Sequence, residues 1–181
     1  HLLAASGNGP ALVIAPPAVV GNWASEAAKF TPKLKVVVHH GASRASADRI
    51  ASQAAMADVV ITTYGTAVRD IAAIEQIEWD RVVLDEAQAI KNPANDTSQQ
   101  LRRINARVRV ALTGTPIENG LGDLWAILDF TNPGLIGPRN QFIAQMSGTE
   151  GSTKSQGEDA LRALNGILVF RRTKSEPAIA A

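Results

Sequence analysis

Five short apolar runs divide the chain, and each is rich in Val, Ile, Leu or Ala with little alternation between apolar and polar positions. Runs of this kind are typical of parallel strands that are buried on both faces of a sheet. The pattern predicts strands at residues 11–15, 34–39, 58–63, 81–84 and 108–112.

The segments between these runs carry apolar residues at helical spacing. They predict helices at residues 22–30, 45–56, 66–75 and 98–104. An alternation of strands and helices favours a three-layer α/β sandwich with a mostly parallel sheet.

The pattern changes after Asn119, where an apolar helical stripe begins and then stops at Asn132-Pro133-Gly134. Residues 147–157 are rich in Gly, Ser, Thr and Lys and predict a flexible loop. A closing helix then leads into the basic segment at residues 171–174. We therefore predict two parts, with the sheet in residues 1–131 and a helical extension in residues 132–181.

Composition narrows the functional classes. The 181 residues are enough for one domain with a core, and 45% hydrophobic with 19% charged residues is ordinary for a soluble α/β protein. No apolar run approaches the length of a membrane span, so we expect no membrane partner. The absence of Cys excludes disulfides and Cys-ligated zinc, and it fits a cytoplasmic location. A net charge of +1 means that any contact with nucleic acid must be a local patch.

The strongest chemical signal is Asp85-Glu86-Ala87-Gln88, which directly follows the fourth apolar run. Nucleotide hydrolases place two carboxylates in this way at the rim of a buried parallel sheet. The Asp holds Mg²⁺ through water, and the Glu polarises the water that attacks the γ-phosphate. A second signal, Thr113-Gly114-Thr115, follows the fifth run. Together they indicate an ATP-driven motor on nucleic acid.

The stretches DEAQAIKN and LTGTPIEN resemble the Swi/Snf-type branch of helicase superfamily two. The resemblance continues at residues 15–23, 61–64, 124–125 and 170–174, and so covers nearly the whole chain. It implies the first RecA-like lobe of an ATP-dependent translocase on double-stranded DNA, with ATP and Mg²⁺ as cofactors. A strand-separating DNA or RNA helicase is an alternative, although RNA helicases usually carry Ser-Ala-Thr in place of Thr-Gly-Thr. A non-catalytic module that binds nucleic acid is another.

The resemblance assigns roles residue by residue. Asp85, Glu86 and Gln88 would be catalytic, with Asp85 holding Mg²⁺ through water. Thr113, Gly114 and Thr115 would couple hydrolysis to motion, with their hydroxyls bonding the side chain of Gln88 or Glu86. Because Gln does not titrate near neutral pH, we do not expect a proton relay at this position.

The resemblance also implies contacts with nucleic acid, and we expect them at Pro16, Asn22, Thr62, Thr63, Lys91, Asn119, Arg171 and Arg172. Trp23 heads an apolar helix face, so we expect it in the core and not against a base. Four further arginines, Arg102, Arg103, Arg107 and Arg109, are expected to be surface charge.

The chain contains no Gly-x-x-x-x-Gly-Lys-Ser/Thr loop to hold phosphates. In the family this loop precedes a helix with a sequence like residues 1–5, and a second RecA-like lobe follows the first. We therefore expect a fragment that is inactive alone and has a gap beside the strand of Asp85 or the strand of Thr113. Open sheet edges predict self-association. The Ala-rich composition suits a high-GC bacterium, in which the protein would accompany the nucleoid.

Overall fold

The computed structural model of the protein describes residues 9–42, 44, 46–147 and 153–170. Within them, five strands form one sheet: β1 (Ala11–Ala15), β2 (Val36–His39), β3 (Val59–Thr63), β4 (Trp79–Leu84) and β5 (Ala106–Ala111). Their order across the sheet is β2-β3-β1-β4-β5, and every pairing is parallel. The segments that follow β1, β3, β4 and β5 therefore meet along one edge of the sheet, where the expected functional residues lie.

Helices cover both faces of this sheet. They are α1 (Pro17–Phe30), α2 (Ala47–Ala55), α3 (Tyr64–Arg69), α4 (Ile71–Ile74), α5 (Asp96–Leu101), α6 (Leu121–Thr131), α7 (Arg139–Met146) and α8 (Thr153–Leu164), with a 3-10 helix at Ala87–Ile90. One apolar cluster joins β1, β3 and β4 to α2–α6, and a second joins the same strands to α1. This arrangement confirms the predicted three-layer sandwich. No helix in the described part of the chain is long and apolar enough to cross a membrane.

Several predicted helices differ from the structure. Helix α1 begins at Pro17, five residues early, because proline suits the first helical position. The helix predicted at 66–75 is split at Asp70, which leaves helical geometry and turns its carboxylate to His39 and Arg44. Helix α8 begins inside the predicted loop, and the chain then turns through a bridge between Asn165 and Val169. The 3-10 helix and α7 were not predicted.

The division near residue 131 stays a prediction, because α6 packs on both sides of it. Phe130 belongs to the main core, whereas Leu121, Leu124 and Leu128 join a third apolar cluster with α7 and α8. The end of α6 therefore ties the extension to the sheet.

Among the described residues the sheet has two edge strands, β2 and β5, and of the strands that precede Asp85 and Thr113 it is β5 that is open on one side. Strand β4 is paired on both sides, with β1 and β5, so a gap beside the Asp85 strand is excluded. Strand β5 has a partner on one side alone among the described strands. All its residues are at least partly exposed, whereas every residue of β1 and β3 is buried.

The expectation of surface charge holds for the exposed Arg103 and Arg107, whereas Arg102 and Arg109 are partly buried, and all four arginines have partners. Arg102 pairs with Asp129 at 2.6 Å, Arg103 with Glu75 at 2.6 Å, and Arg107 with Asp80 at 2.8 Å. Arg109 donates to three backbone carbonyls, one in the last turn of α6 and two directly after α5. Each guanidinium therefore fastens one structural element to another.

Candidate functional site

The site is built on a strained turn at the end of β4. The backbone of Asp85 is fixed by a hydrogen bond from its N–H to the carbonyl of Ile14, at 2.8 Å. Glu86 then adopts the left-handed conformation, with φ of 52° and ψ of 55°, and is alone in this among the described non-glycine residues. Such strain costs about 1–3 kcal/mol and is concentrated at functional sites. The turn points the Glu86 side chain outward before the 3-10 helix begins.

Both carboxylate oxygens of Asp85 accept hydrogen bonds. Oδ1 accepts from the backbone N–H of Glu86 at 3.0 Å, and Oδ2 accepts from Nε1 of Trp23 at 2.8 Å. The hydroxyl of Tyr64 donates to the carbonyl of Asp85 at 2.7 Å. Burial raises the pKa of Tyr64, and the nearby carboxylates of Asp85 and Glu86 raise it further, so the phenol remains a donor. The pose of Asp85 is thus held from three directions.

Gln88 connects Glu86 to the segment after β5. Its Nε2 donates to Glu86 Oε2 at 2.7 Å, and its Oε1 accepts from the Thr113 hydroxyl at 3.4 Å. The Thr113 hydroxyl in turn accepts from the backbone N–H of Thr115 at 3.1 Å. A change in the pose of Glu86 can therefore reach residues 113–115 through one amide side chain.

The two carboxylates open into a groove of about 1170 Å³ that follows the open side of β5. Polar residues of the 113–118 segment line one part, and apolar side chains of α6, including Leu124, Ile127 and Leu128, line another. This groove occupies the open position beside β5, where the sequence predicts a gap in the sheet.

The donor set at the turn fits a metal that relies on its substrate for ligands. In the described residues no group of three or more His, Cys, Asp or Glu could hold a metal by itself. Asp85 and Glu86 offer two adjacent carboxylates, and Asp85 keeps acceptor capacity after its two hydrogen bonds. Mg²⁺ typically binds through one or two carboxylates together with waters and substrate phosphates.

The structure gives Thr62 and Thr63 internal partners. Thr62 is fully buried, and its hydroxyl donates to the carbonyl of His39 at 2.8 Å. The Thr63 hydroxyl caps α3 by accepting from the backbone N–H of Thr66 at 3.3 Å. Because β3 is enclosed on both faces, these hydroxyls need partners within the fold. Direct side-chain contact of Thr62 with nucleic acid is therefore incompatible with this structure.

Lys91 is also turned inward. Its side chain is 8% exposed, and its ammonium lies 2.8 Å from Glu118 and 3.6 Å from Asp123. Asp123 also accepts from the backbone N–H groups of Glu118 and Asn119, both at 3.0 Å. Lys91 thus supports the loop after residue 115 and does not present its charge to a partner.

Three expected contacts keep an exposed or partly exposed position. Pro16 precedes α1, Asn22 lies on its solvent side, and Asn119 is exposed in the loop before α6. Arg171 and Arg172 lie outside the described residues, as does the helix expected near residues 1–5.

A buried polar network at the ends of β2 and β3 was not anticipated. Nε2 of His39, which is fully buried, lies 2.8 Å from Asp70, and Arg44 donates to the same oxygen at 3.1 Å. Burial would raise the pKa of Asp70, but the hydrogen bonds from Arg44 and His39 outweigh it and hold the pKa below its usual value. The sequence feature that could have indicated this network is His39, a histidine at the end of an apolar strand.

The fold and the paired carboxylates define a RecA-like α/β lobe. The chain belongs to the SNF2-related domain family, whose sequence profile matches residues 4–178. It is 37% identical over 172 residues to YwqA of Bacillus subtilis, covering 94% of this chain and 19% of that protein. It is 33% identical over 173 residues to the ISWI chromatin-remodeling complex ATPase ISW2 of Saccharomyces cerevisiae, covering 93% of this chain and 15% of that protein.

A solved structure shows the same fold. The SWI2/SNF2 ATPase core of Sulfolobus solfataricus in complex with dsDNA matches with a TM-score of 0.76 and 37% sequence identity. The match covers 95% of this chain and 35% of that one. The predicted RecA-like fold is thus confirmed, and the chain spans a fifth or less of the length of the curated relatives described above.

Proposed function

We propose that this chain is most of the first RecA-like lobe of an ATP-dependent translocase on double-stranded DNA. The observation that carries the proposal is the link from Glu86 through Gln88 to Thr113, beside the groove that follows β5. Membership of the SNF2-related domain family and a structural neighbour bound to dsDNA support it.

In this proposal Glu86 is the general base. Its carboxylate lines the groove and accepts a hydrogen bond from Gln88, which would hold it in place to accept a proton from the attacking water. Asp85, held by Trp23 and by the Glu86 N–H, would hold Mg²⁺ through water. When ATP and Mg²⁺ are bound, the metal neutralises charge on the phosphates. Residues 113–115 are linked to Glu86 through Gln88, so they would transmit a change in the pose of Glu86 toward the DNA.

We propose that DNA is held by its phosphates, at the start of α1 near Pro16 and Asn22, at Asn119, and at Arg171 and Arg172. Thr62, Thr63 and Lys91 would support these segments from inside. Because the net charge is +1, the contact is a local one, and its affinity should fall with salt in proportion to the few phosphates engaged. In a bacterium such a motor would work on the nucleoid.

The test is ATP turnover by the full-length protein with duplex DNA, single-stranded DNA or RNA. We expect the duplex to stimulate turnover by the full-length protein. The 181-residue chain, assayed in parallel, should be inactive, because its sequence holds no phosphate loop and catalysis of phosphoryl transfer depends on positioning. Stimulation by RNA or single strands alone would favour a strand-separating helicase. A full-length protein without turnover would favour a nucleic-acid-binding module.

We also propose that the open edge of β5 pairs with a second copy when the 181-residue chain is alone. Unpaired strand edges associate readily, and Leu112 beside this edge is 40% exposed. The sedimentation mass should rise with concentration for the wild type, while Leu112→Lys, which places a charge there, should stay monomeric. Met56→Lys is the control, since Met56 is exposed at the end of α2, far along the chain from β5. A wild type that is monomeric at all concentrations would contradict the proposal.

A further inference from the structure

Two aromatic side chains connect the start of α1, proposed to lie at DNA, and the start of α3 to the carboxylate pair. Trp23 directly follows Asn22 on α1, and its Nε1 donates to Asp85 Oδ2 at 2.8 Å. Tyr64 directly follows Thr63 at the start of α3, and its hydroxyl donates to the carbonyl of Asp85 at 2.7 Å. The two segments lie far apart in sequence, yet both end on the same residue.

These two hydrogen bonds fix the Asp85 side chain and the turn at Glu86. A hydrogen bond to a carboxylate is stronger than one between neutral groups, so Trp23 fixes the rotation of the Asp85 side chain. Tyr64 holds the peptide that immediately precedes the left-handed Glu86. Its hydroxyl also lies 3.5 Å from the carbonyl of Glu86. A strained conformation persists where its surroundings over-determine it, and Tyr64 supplies part of that constraint.

Because Trp23 is anchored against the core, it is suited to transmit a movement of α1 to Asp85. Its ring packs against the apolar cluster of α1, β1, β3 and β4, which includes Val20, Ile61 and Val83. A shift of the first turns of α1 therefore moves the indole N–H with the backbone and is not absorbed by a loose side chain. Packed interiors transmit such strain because they contain few voids.

We propose that Trp23 and Tyr64 are positioning residues that couple DNA at the start of α1 to the pose of Asp85 and Glu86, with Trp23 as the link and Tyr64 holding the turn on which it acts. This coupling rests on the proposed DNA-dependent ATPase function. By thermodynamic linkage the coupling acts in both directions. If bound metal–nucleotide changes the affinity for DNA by some factor, bound DNA changes the affinity for metal–nucleotide by the same factor.

The hydrogen bond itself can be tested on the 181-residue chain without any activity. The chain has three Trp, so its NMR spectrum should show three indole N–H signals, and Trp23→Phe identifies one of them. Asp85→Asn should move the Trp23 signal. The Trp125 signal is the internal control, since Trp125 donates to the carbonyl of Gly137. A Trp23 signal that ignores Asp85→Asn would overturn the proposal.

The coupling is tested in the full-length protein with a fluorescent DNA duplex, with and without Mg²⁺ and a non-hydrolysable ATP analogue. We expect the ratio of the two affinities to differ from one by about 5–150-fold in the wild type. Trp23→Phe and Tyr64→Phe, which keep the rings, should bring this ratio about fivefold or more closer to one. Trp125→Phe, which loses an indole hydrogen bond of the same kind, should keep the wild-type ratio.

The outcomes separate the coupling from the proposed function. If the wild type binds duplex with a nucleotide-dependent ratio and Trp23→Phe keeps that ratio, the coupling is overturned and the proposed function stands. If the wild type does not bind duplex at all, both are overturned, although the NMR experiment still decides whether Trp23 holds Asp85.

Discussion

Glu86→Gln is expected to lower the duplex-stimulated ATP turnover of the full-length protein by about 10²–10⁴-fold, the usual contribution of a general base. The amide cannot accept a proton from the attacking water, yet it keeps the size of the side chain and its tolerance of the turn. Because Glu86 is exposed, we expect the free energy of unfolding to change by no more than about 0.5 kcal/mol. Single-turnover kinetics with duplex present measure the loss directly.

The matched control is Glu78→Gln, which removes the same charge from an exposed residue just before β4. Its turnover should equal that of the wild type. Binding of duplex by Glu86→Gln should also be retained, since no DNA contact is assigned to this side chain. Turnover within threefold of the wild type in Glu86→Gln would contradict the assignment of Glu86 as the base.

The fold could be predicted from the sequence because its signals are local. Short apolar runs such as Ala11–Ala15 alternate with helical segments along the chain, and the structure places all five runs in one parallel sheet. Boundaries were less certain where a side chain competes with the backbone. Asp70 ends a helix that the apolar spacing extends through, because its carboxylate bonds to His39 and Arg44 across the fold.

The site could be predicted in part. The order of Glu86, Gln88 and Thr113 in the motifs suggested side chains that would meet, and they do lie within hydrogen-bond distance. The bond from Trp23 to Asp85 spans 62 residues, and an indole on an apolar helix face indicates only burial. The inward direction of Thr62 and Lys91 could not be derived either, since it depends on how strands and loops are enclosed.

Arg109 shows why charge alone is a poor guide to position. It lies on β5, where a sequence pattern of alternating Arg and Val suggests a solvated face. In the structure its guanidinium donates to the carbonyl of Ile104 at 2.8 Å, and to those of Arg102 and Phe130, each at 3.3 Å. Phe130 lies in the last turn of α6, Arg102 is the C-cap of α5, and Ile104 lies in the turn that follows it. Helix ends leave acceptors unpaired, and a cation is favourable there.

The environment of Arg109 is partly desolvated. Burial lowers its pKa, and the neighbouring charge of Arg102 lowers it further, although a guanidinium stays protonated in proteins. Its Cζ also lies 5.1 Å from the ring centroid of Phe130, a distance at which a cation and an aromatic face attract. One side chain thus joins the sheet edge, the end of α5 and the end of α6.

Arg109→Met is therefore expected to lower the free energy of unfolding of the 181-residue chain by about 2–4 kcal/mol, because three carbonyls lose their donor while the apolar stem is kept. Urea unfolding followed by circular dichroism measures it. Arg107→Met is the control on the same strand: Arg107 is 53% exposed and pairs with Asp80, which also meets Arg81. Its loss should cost about 1 kcal/mol or less. Equal losses in the two variants would show that Arg109 does not hold the helix ends, and that β5 is stabilised by its pairing with β4 alone.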